Sequence, residues 1–549
     1  MTTTIFSART VITMNPALPR AEAVAVRDGR IVGVGSVDEL TARGAHVLDE
    51  TFADHVLTPG FVEAHCHVMS GGLWEHTYLG YFGRTDPNGR YWPGCTSIDA
   101  VLERLREVEA ELEPGVALLA WGLDPIYLEG ERLVGKHLDS ISETRQIFVL
   151  HASGHLATVN GELMRREEIT ASNPTPGIML DEFGEPNGEL QEPAAMSLAT
   201  EAFTTMRRSF ITDQAKWNYA RDARNKGHTL LTDLGAMVFN ERSVEGWQRV
   251  TSDADYPARI MVAGSPLGGL DGARELADLI VALRPESDER LHFGVVKLIL
   301  DGSIQGFTAR LEWPFYFDPP DGAPENGLWL IPPEQMPELV GVFHDAGLTV
   351  HCHCNGDQAA QVFIDAVEQC LEHHPRADHR HTVQHCQLTT PAQYRRMKAL
   401  GMQANIFSNH IFFWGDQHRT LTVGPERAAG MDACATAERE GVPFSFHSDS
   451  PVTPLGHLHV MWCAVNRRTA TGHHLGPEEA VSVESAMYAA TLGAAVQLKM
   501  DHLVGSIEIG KYADFAVLDD DPLVVDPMTL KDIGVWGTVL GGRPQPAGA

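Results

Sequence analysis

Eight short apolar runs, each bounded by Gly, Pro or polar turn residues, constrain this chain more than any other feature. They are GFVEAHCH from Gly60, TLLTDLG from Thr229, ARIMVAG from Ala258, GVVKLILDGS from Gly294, GLTVHCHCNGD from Gly347, RHTVQHC from Arg380, GMQANIF from Gly401 and VPFSFHSDS from Val442. Each is short enough for one buried strand, and helical stretches such as DQAAQVFIDAVEQCLEHH lie between several of them. Strand and helix in alternation, eight times over, predict an α/β chain folded as a (β/α)8 barrel. The spacing fits single strand-helix units except after His67, where the gap to Thr229 exceeds the roughly 30 residues of one unit by more than about 100. An inserted domain or lid over 68–205 is therefore expected, with the barrel in 59–67 plus 206–502. Both ends read as β-structure. AEAVAVRDGRIVGVG carries a hairpin signal at Asp28-Gly29, and GSIEIGKYADFAVLDDDPL has Gly at its turns. Segments 1–58 and 503–549 together predict one small composite β-sandwich.

Polar residues interrupt these runs at particular places. On a strand, residues i and i+2 share a face, so His65 and His67 point together while Cys66 points away. Two neutral imidazoles converging on one point are half of a first-row metal site. In a barrel, functional groups sit at the C-terminal ends of strands. His353, His385 and Asp449 end three further runs, and Lys297 lies in VVKLILDGS with apolar neighbours on both sides. A single strand-end His is more often a hydrogen-bonded polar residue, and Asp449 before Ser450-Pro451 also suits a turn. Lys297 is harder to dismiss, because an ammonium inside an apolar strand needs a partner or a lowered pKa. Alternation sends Cys352 and Cys354 away from the histidines of HCHC, towards a covering helix. The eight cysteines are scattered through a long chain and read as reduced thiols.

The ordered motifs TPGFVEAHCH, VVKLILDGS, HCNGD, VQHCQ, HSDSPV and GSIEIGKYADFAVLDDDPL resemble those of the metal-dependent amidohydrolase superfamily, in its amidohydrolase-3 or YtcJ-like branch. FFWGDQHRTLTVGPERA and the chain length are similar to N-substituted formamide deformylases. The resemblance implies zinc, with His65, His67 and Asp449 on one ion, His353 and His385 on another, and Lys297 carboxylated between them; some relatives keep one ion. Carboxylation would turn a cation that metals repel into an anionic bridge. It further implies that a metal-bound hydroxide attacks an amide carbon, and that Asp449 moves the proton to the leaving nitrogen. His155, in ASGH, resembles a donor to the substrate carbonyl, or is a structural histidine. Phe412, Phe413 and Trp414 follow the seventh strand and either line an apolar pocket from a loop or belong to the core. Asp233 either orients a ligand or closes a turn.

Composition narrows the partners. With 42 Lys and Arg against 73 Asp and Glu, the net charge of −31 disfavours nucleic acid and anionic membranes. No run of about 18 apolar residues appears and the N-terminus lacks a secretory pattern, so a cytoplasmic protein is expected. The expected substrate is a neutral small-molecule amide, an N-substituted formamide first, since anions are repelled unless Arg310 or Arg427 reverses the local field. The family resemblance also implies a homodimer. Two other functions stay open: a hydrolytic deaminase of a ring amidine, and a barrel that serves only as an interaction scaffold.

Overall fold

The computed structural model describes residues 2–128, 132–154, 156–235, 239–319 and 325–548. Its contacts divide the chain into two compact units, 1–67 with 223–549 and 68–222.

The first unit holds an eight-stranded parallel sheet in sequential order. Its strands are β1 Phe61–Cys66, β2 His228–Asp233, β3 Arg259–Gly264, β4 Leu291–Ile299, β5 Thr349–Cys354, β6 Thr382–His385, β7 Gln403–Ile406 and β8 Phe444–Phe446. All eight apolar runs of the sequence supply a strand, and β8 returns to β1, so the sheet curls into a nearly closed (β/α)8 barrel. Alternation sorts each strand into two faces. Val296, Leu298, Val350, Cys352, Val383 and Ala404 join one core with the surrounding helices, while Lys297 falls on the opposite face. Register sets Lys297 beside His351, and Gln384 beside both His353 and Asn405.

The helices cover the barrel because their apolar positions repeat at three- and four-residue spacing. In Asp357–His373 the buried set includes Ala359, Phe363, Val367 and Cys370; in Gly269–Leu283 it is Ala273, Leu276, Ala277, Ile280 and Leu283. Cys352 and Cys354 lie in this layer, and all eight cysteines are buried thiols outside any disulfide.

Strands from both termini form one continuous seven-stranded sheet in the same unit. The fourteen-residue strand His46–Pro59 pairs with Thr3–Ile12 and with Phe515–Leu518, so it joins the two ends of the chain. Phe6, Val24 and Phe52 share a core with Phe515, Val517 and Val539. Asp28 and Gly29 both take positive φ, 53° and 73°, as the tight hairpin turn requires. A buried ion pair fastens this sheet to the barrel: Arg259 at the start of β3 donates to Asp514 at 2.6 and 2.9 Å.

The second unit has its own six-stranded sheet, ordered Ile178–Leu180, Pro186–Gln191, Leu156–Val159, Ile147–His151, Leu118–Leu123 and Thr77–Tyr78. Residues 206–222, expected with the barrel, belong to this unit. Helix Thr200–Phe210 carries Ala202, Met206 and Phe210 into its core, so a boundary at 205 would cut a packed helix. No helix among the described residues is long and apolar enough to cross a membrane.

Adjacent residues on one covering helix test the packing. Ile280 is 1% exposed and Val281 43%. Ile280→Ala should lower unfolding stability by about 2–5 kcal/mol, and Val281→Ala by about 0.5 kcal/mol or less, as read from urea denaturation followed by tryptophan fluorescence.

Candidate metal centre

The barrel places His65, His67, Lys297, His385 and Asp449 in one buried cluster. His67 Nε2 lies 2.9 Å and His65 Nε2 3.3 Å from Asp449 Oδ1. The Lys297 amine is 3.1 Å from His65 Nε2, and His385 Nδ1 is 3.8 Å from Asp449 Oδ2. Two of these side chains leave the backbone at strained positions. His385 has φ +74° and Asp449 φ +52°, in the left-handed region that is uncommon for non-glycine residues.

Hydrogen bonds set the imidazole tautomers. Asn405 Nδ2 donates to Gln384 Oε1 at 2.7 Å, and His65 Nδ1 donates to the same oxygen at 2.9 Å. The proton on Nδ1 leaves the Nε2 lone pair aimed at Asp449 and Lys297. Asn405 Oδ1 in turn accepts from His447 Nδ1 at 3.0 Å, so His447 Nε2 accepts from His385 Nδ1, also at 3.0 Å. His385 Nε2 is then a lone pair, buried and without a hydrogen-bond partner among the described residues. The rings of His65 and His447 stack at 4.8 Å.

Electrostatics agree with this assignment. Burial drives His65, His385 and His447 well below the ordinary histidine range, so their rings are neutral. Burial raises Asp449, but its surroundings, the direct hydrogen bond from His67 Nε2 among them, hold the carboxyl well below its usual range. Burial also brings Lys297 down to about 8, within reach of its neutral, nucleophilic form. Imidazole nitrogens facing one ionised carboxylate are a donor set for a first-row metal ion, and His65 Nε2 lies 3.3 Å from Asp449 Oδ1. Two groupings have ligand-atom separations suited to an ion: His65 with His67 and Asp449, and His65 with His385 and His447.

The other expected residues, where described, have their own partners. The ring of His353 lies 4.3 Å from that of His385, but its Nε2 is 3.1 Å from both the Gly302 carbonyl and the Asn355 amide nitrogen. His155 lies outside the described residues. Phe412, Phe413 and Trp414 sit on a helix, Asn409–Gln417, rather than on a loop, because its apolar residues are drawn into packed layers. Phe412 packs on His459 and Trp462, whereas Phe407 is the aromatic ring beside His447, at 4.8 Å. Asp233 accepts from the Gly235 N–H at 3.1 Å, as a turn residue does. Arg310 donates to Gln358 and the Gly327 carbonyl, and Arg427 to Asp357 and the Phe315 carbonyl.

Sequence reasoning missed His447, Gln384, Asn405 and Glu63. All four are polar residues inside the apolar runs, and His447 stands two residues before Asp449, the spacing that singled out His65 and His67. Glu63 accepts from the Ser448 N–H at 3.0 Å and from its hydroxyl at 2.8 Å, tying β1 to the turn that presents Asp449.

A (β/α)8 barrel with this cluster has the build of a metal-dependent hydrolase. The chain belongs to the amidohydrolase family, whose model matches residues 53–545. It is 26% identical to the putative amidohydrolase YtcJ of Bacillus subtilis, over 97% of each chain. It is 25% identical to the N-substituted formamide deformylase of Arthrobacter pascens, over 95% of this chain and 94% of that one. An uncharacterized metal-dependent hydrolase from Pyrococcus horikoshii shares the fold with a TM-score of 0.72 at 20% identity, over 96% of this chain and 99% of that one. The protein is thus a hydrolytic enzyme of the metal-dependent amidohydrolase superfamily, in its YtcJ-like branch.

Gln384→Leu removes the carbonyl that sets the His65 tautomer. Zinc affinity, measured by competition with a chromophoric chelator, should fall about 10- to 100-fold; Gln384→Glu, which keeps an acceptor, should retain more of it.

Proposed function

We propose that the enzyme hydrolyses the C–N bond of a neutral N-substituted amide, with an N-substituted formamide as the preferred substrate. The observation that carries the proposal is the convergence of His65 and His67 on ionised Asp449, with the Lys297 amine 3.1 Å from His65. His65, His67, His385 and Asp449 would hold zinc, and carboxylated Lys297 would bridge two ions. Bound zinc would supply Lewis acidity, lowering the pKa of a water and polarising the amide carbonyl. The similarity to the Arthrobacter pascens deformylase supports a small acyl side.

The chain's own groups handle the protons. Asp449 is ionised and takes a proton from the attacking water as its oxygen bonds to the acyl carbon. The same carboxyl then gives that proton to the nitrogen as the C–N bond breaks, releasing a carboxylic acid and a neutral amine. Gln384 and Asn405 hold His65 in the tautomer this needs, and the Glu63–Ser448 bonds keep the Asp449 turn in place. Arg310 and Arg427 are engaged with protein acceptors, which fits a neutral substrate better than an anionic one.

Asp449→Asn should retain most of its metal and lose kcat by at least about a hundredfold. A loss smaller than about tenfold, 1.4 kcal/mol in the barrier, would point to another base. The substrate test incubates zinc-loaded enzyme with N-benzylformamide, N-benzylacetamide, an N-formyl amino acid and a cyclic amidine. N-Benzylformamide should have the highest kcat/KM. Faster turnover of the acetamide or the formyl amino acid contradicts the formamide preference, and turnover of the amidine alone would make the enzyme a deaminase.

A further inference from the structure

A second group of metal-type ligands lies at the seam where β1 meets β8, outside the catalytic cluster. Glu63 on β1, His228 at the N-terminal end of β2 and His457 at the start of helix His457–Asn466 are all fully buried, and their ligand atoms lie within 4.8 Å of one another. His228 Nε2 is 3.8 Å and His457 Nδ1 is 3.7 Å from the same oxygen, Glu63 Oε2. Among the described residues these two imidazoles are the ion-pair-range partners of Glu63.

The protons in this group can be assigned. His457 Nε2 lies 2.9 Å from the Val62 carbonyl, which only accepts, so Nε2 carries the proton. Its Nδ1 is then a lone pair, fully buried, facing Glu63 Oε2 and without a hydrogen-bond partner among the described residues. Burial lowers the pKa of His457 to about 4, so the ring is neutral. Burial also lowers His228, so that ring is neutral, and neither of its nitrogens has a hydrogen-bond partner among the described residues. Its Nε2, 3.8 Å from Glu63 Oε2, faces the same oxygen as His457 Nδ1.

Glu63 Oε2, His228 Nε2 and His457 Nδ1 thus face one buried point, and their spacing narrows what satisfies them. Separations of 3.7 and 3.8 Å are too long for a direct hydrogen bond. They are also too short for a bridging water, which at tetrahedral angles sets its partners about 4.5 Å apart. Ligands sharing one zinc-sized ion at bonds near 2.1 Å stand about 3.4–3.6 Å apart, a few tenths of an ångström from what is seen. We propose that Glu63, His228 and His457 bind a divalent transition-metal ion of the zinc class, at a structural site separate from the catalytic cluster. Such an ion joins β1, β2 and the helix after β8 across the barrel seam. It also holds Glu63, whose bonds to Ser448 position the Asp449 turn.

The test counts zinc per chain by plasma mass spectrometry, on protein loaded with zinc and then desalted without chelator. His228→Gln and His457→Gln should each hold one equivalent less than wild type. Unchanged zinc in both variants overturns the proposal. A background carrying His65→Ala, His67→Ala and Asp449→Ala separates this site from the catalytic one: adding His457→Gln to it should remove one further equivalent. No further loss, in protein whose far-ultraviolet circular dichroism matches wild type, overturns the proposal and leaves the catalytic reading intact. Cobalt(II) gives a second readout in wild type. Displacement of catalytic-site cobalt by a weak chelator should leave a visible band of tetrahedral N2O type that is absent in His228→Gln, and a band unchanged by that substitution contradicts the site.

Discussion

The amide of Asn405 organises the interior of this barrel. Its nitrogen donates to Gln384 and its oxygen accepts from His447, so one side chain sets the proton positions on two imidazole chains, Gln384–His65 and His447–His385. Buried imidazoles are costly to ionise, and several lie within 5 Å of one another here. They are accommodated because His65, His385 and His447 are neutral and each has a fixed donor edge. What remains is the buried His385 Nε2 lone pair, without a hydrogen-bond partner among the described residues, and the ionised carboxylate of Asp449. That imbalance is what makes the cluster a cation site.

The architecture was legible because barrel strands and covering helices write their periods directly into the chain. The eight apolar runs became β1 to β8 in order, and the polar interruptions at His65, Lys297, His385 and Asp449 mark groups drawn into one cluster. The residues that orient them were not legible, for a physical reason. Gln384 and Asn405 look like ordinary polar positions in their runs, and their role comes from register, which sets Gln384 opposite Asn405 and Asn405 opposite Ser445. Register depends on the closure of the whole sheet, so no local window shows it. The aromatic run had the opposite fault. Phe412, Phe413 and Trp414 stand out in sequence but are spent largely on helix packing, while the single Phe407 at the end of β7 reaches the site residues.

Glu63 links the two buried polar groups. It lies two residues before His65, accepts twice from Ser448 beside Asp449, and faces His228 and His457 across the seam. Barrel closure and the placement of the Asp449 carboxylate therefore share one side chain. A chain that folds without closing the seam between β1 and β8 would also misplace Asp449.

The central claim is that the neutral imidazoles, Lys297 and Asp449 form a metal centre, and diffraction at the zinc edge tests it most directly. Crystals of protein purified without chelator should show anomalous density within bonding distance of His65 Nε2 and Asp449, with added density on the Lys297 nitrogen where a carboxylate bridges two ions. A zinc-soaked crystal without an anomalous peak at that point, with Lys297 an unmodified amine still hydrogen-bonded to His65, would contradict it.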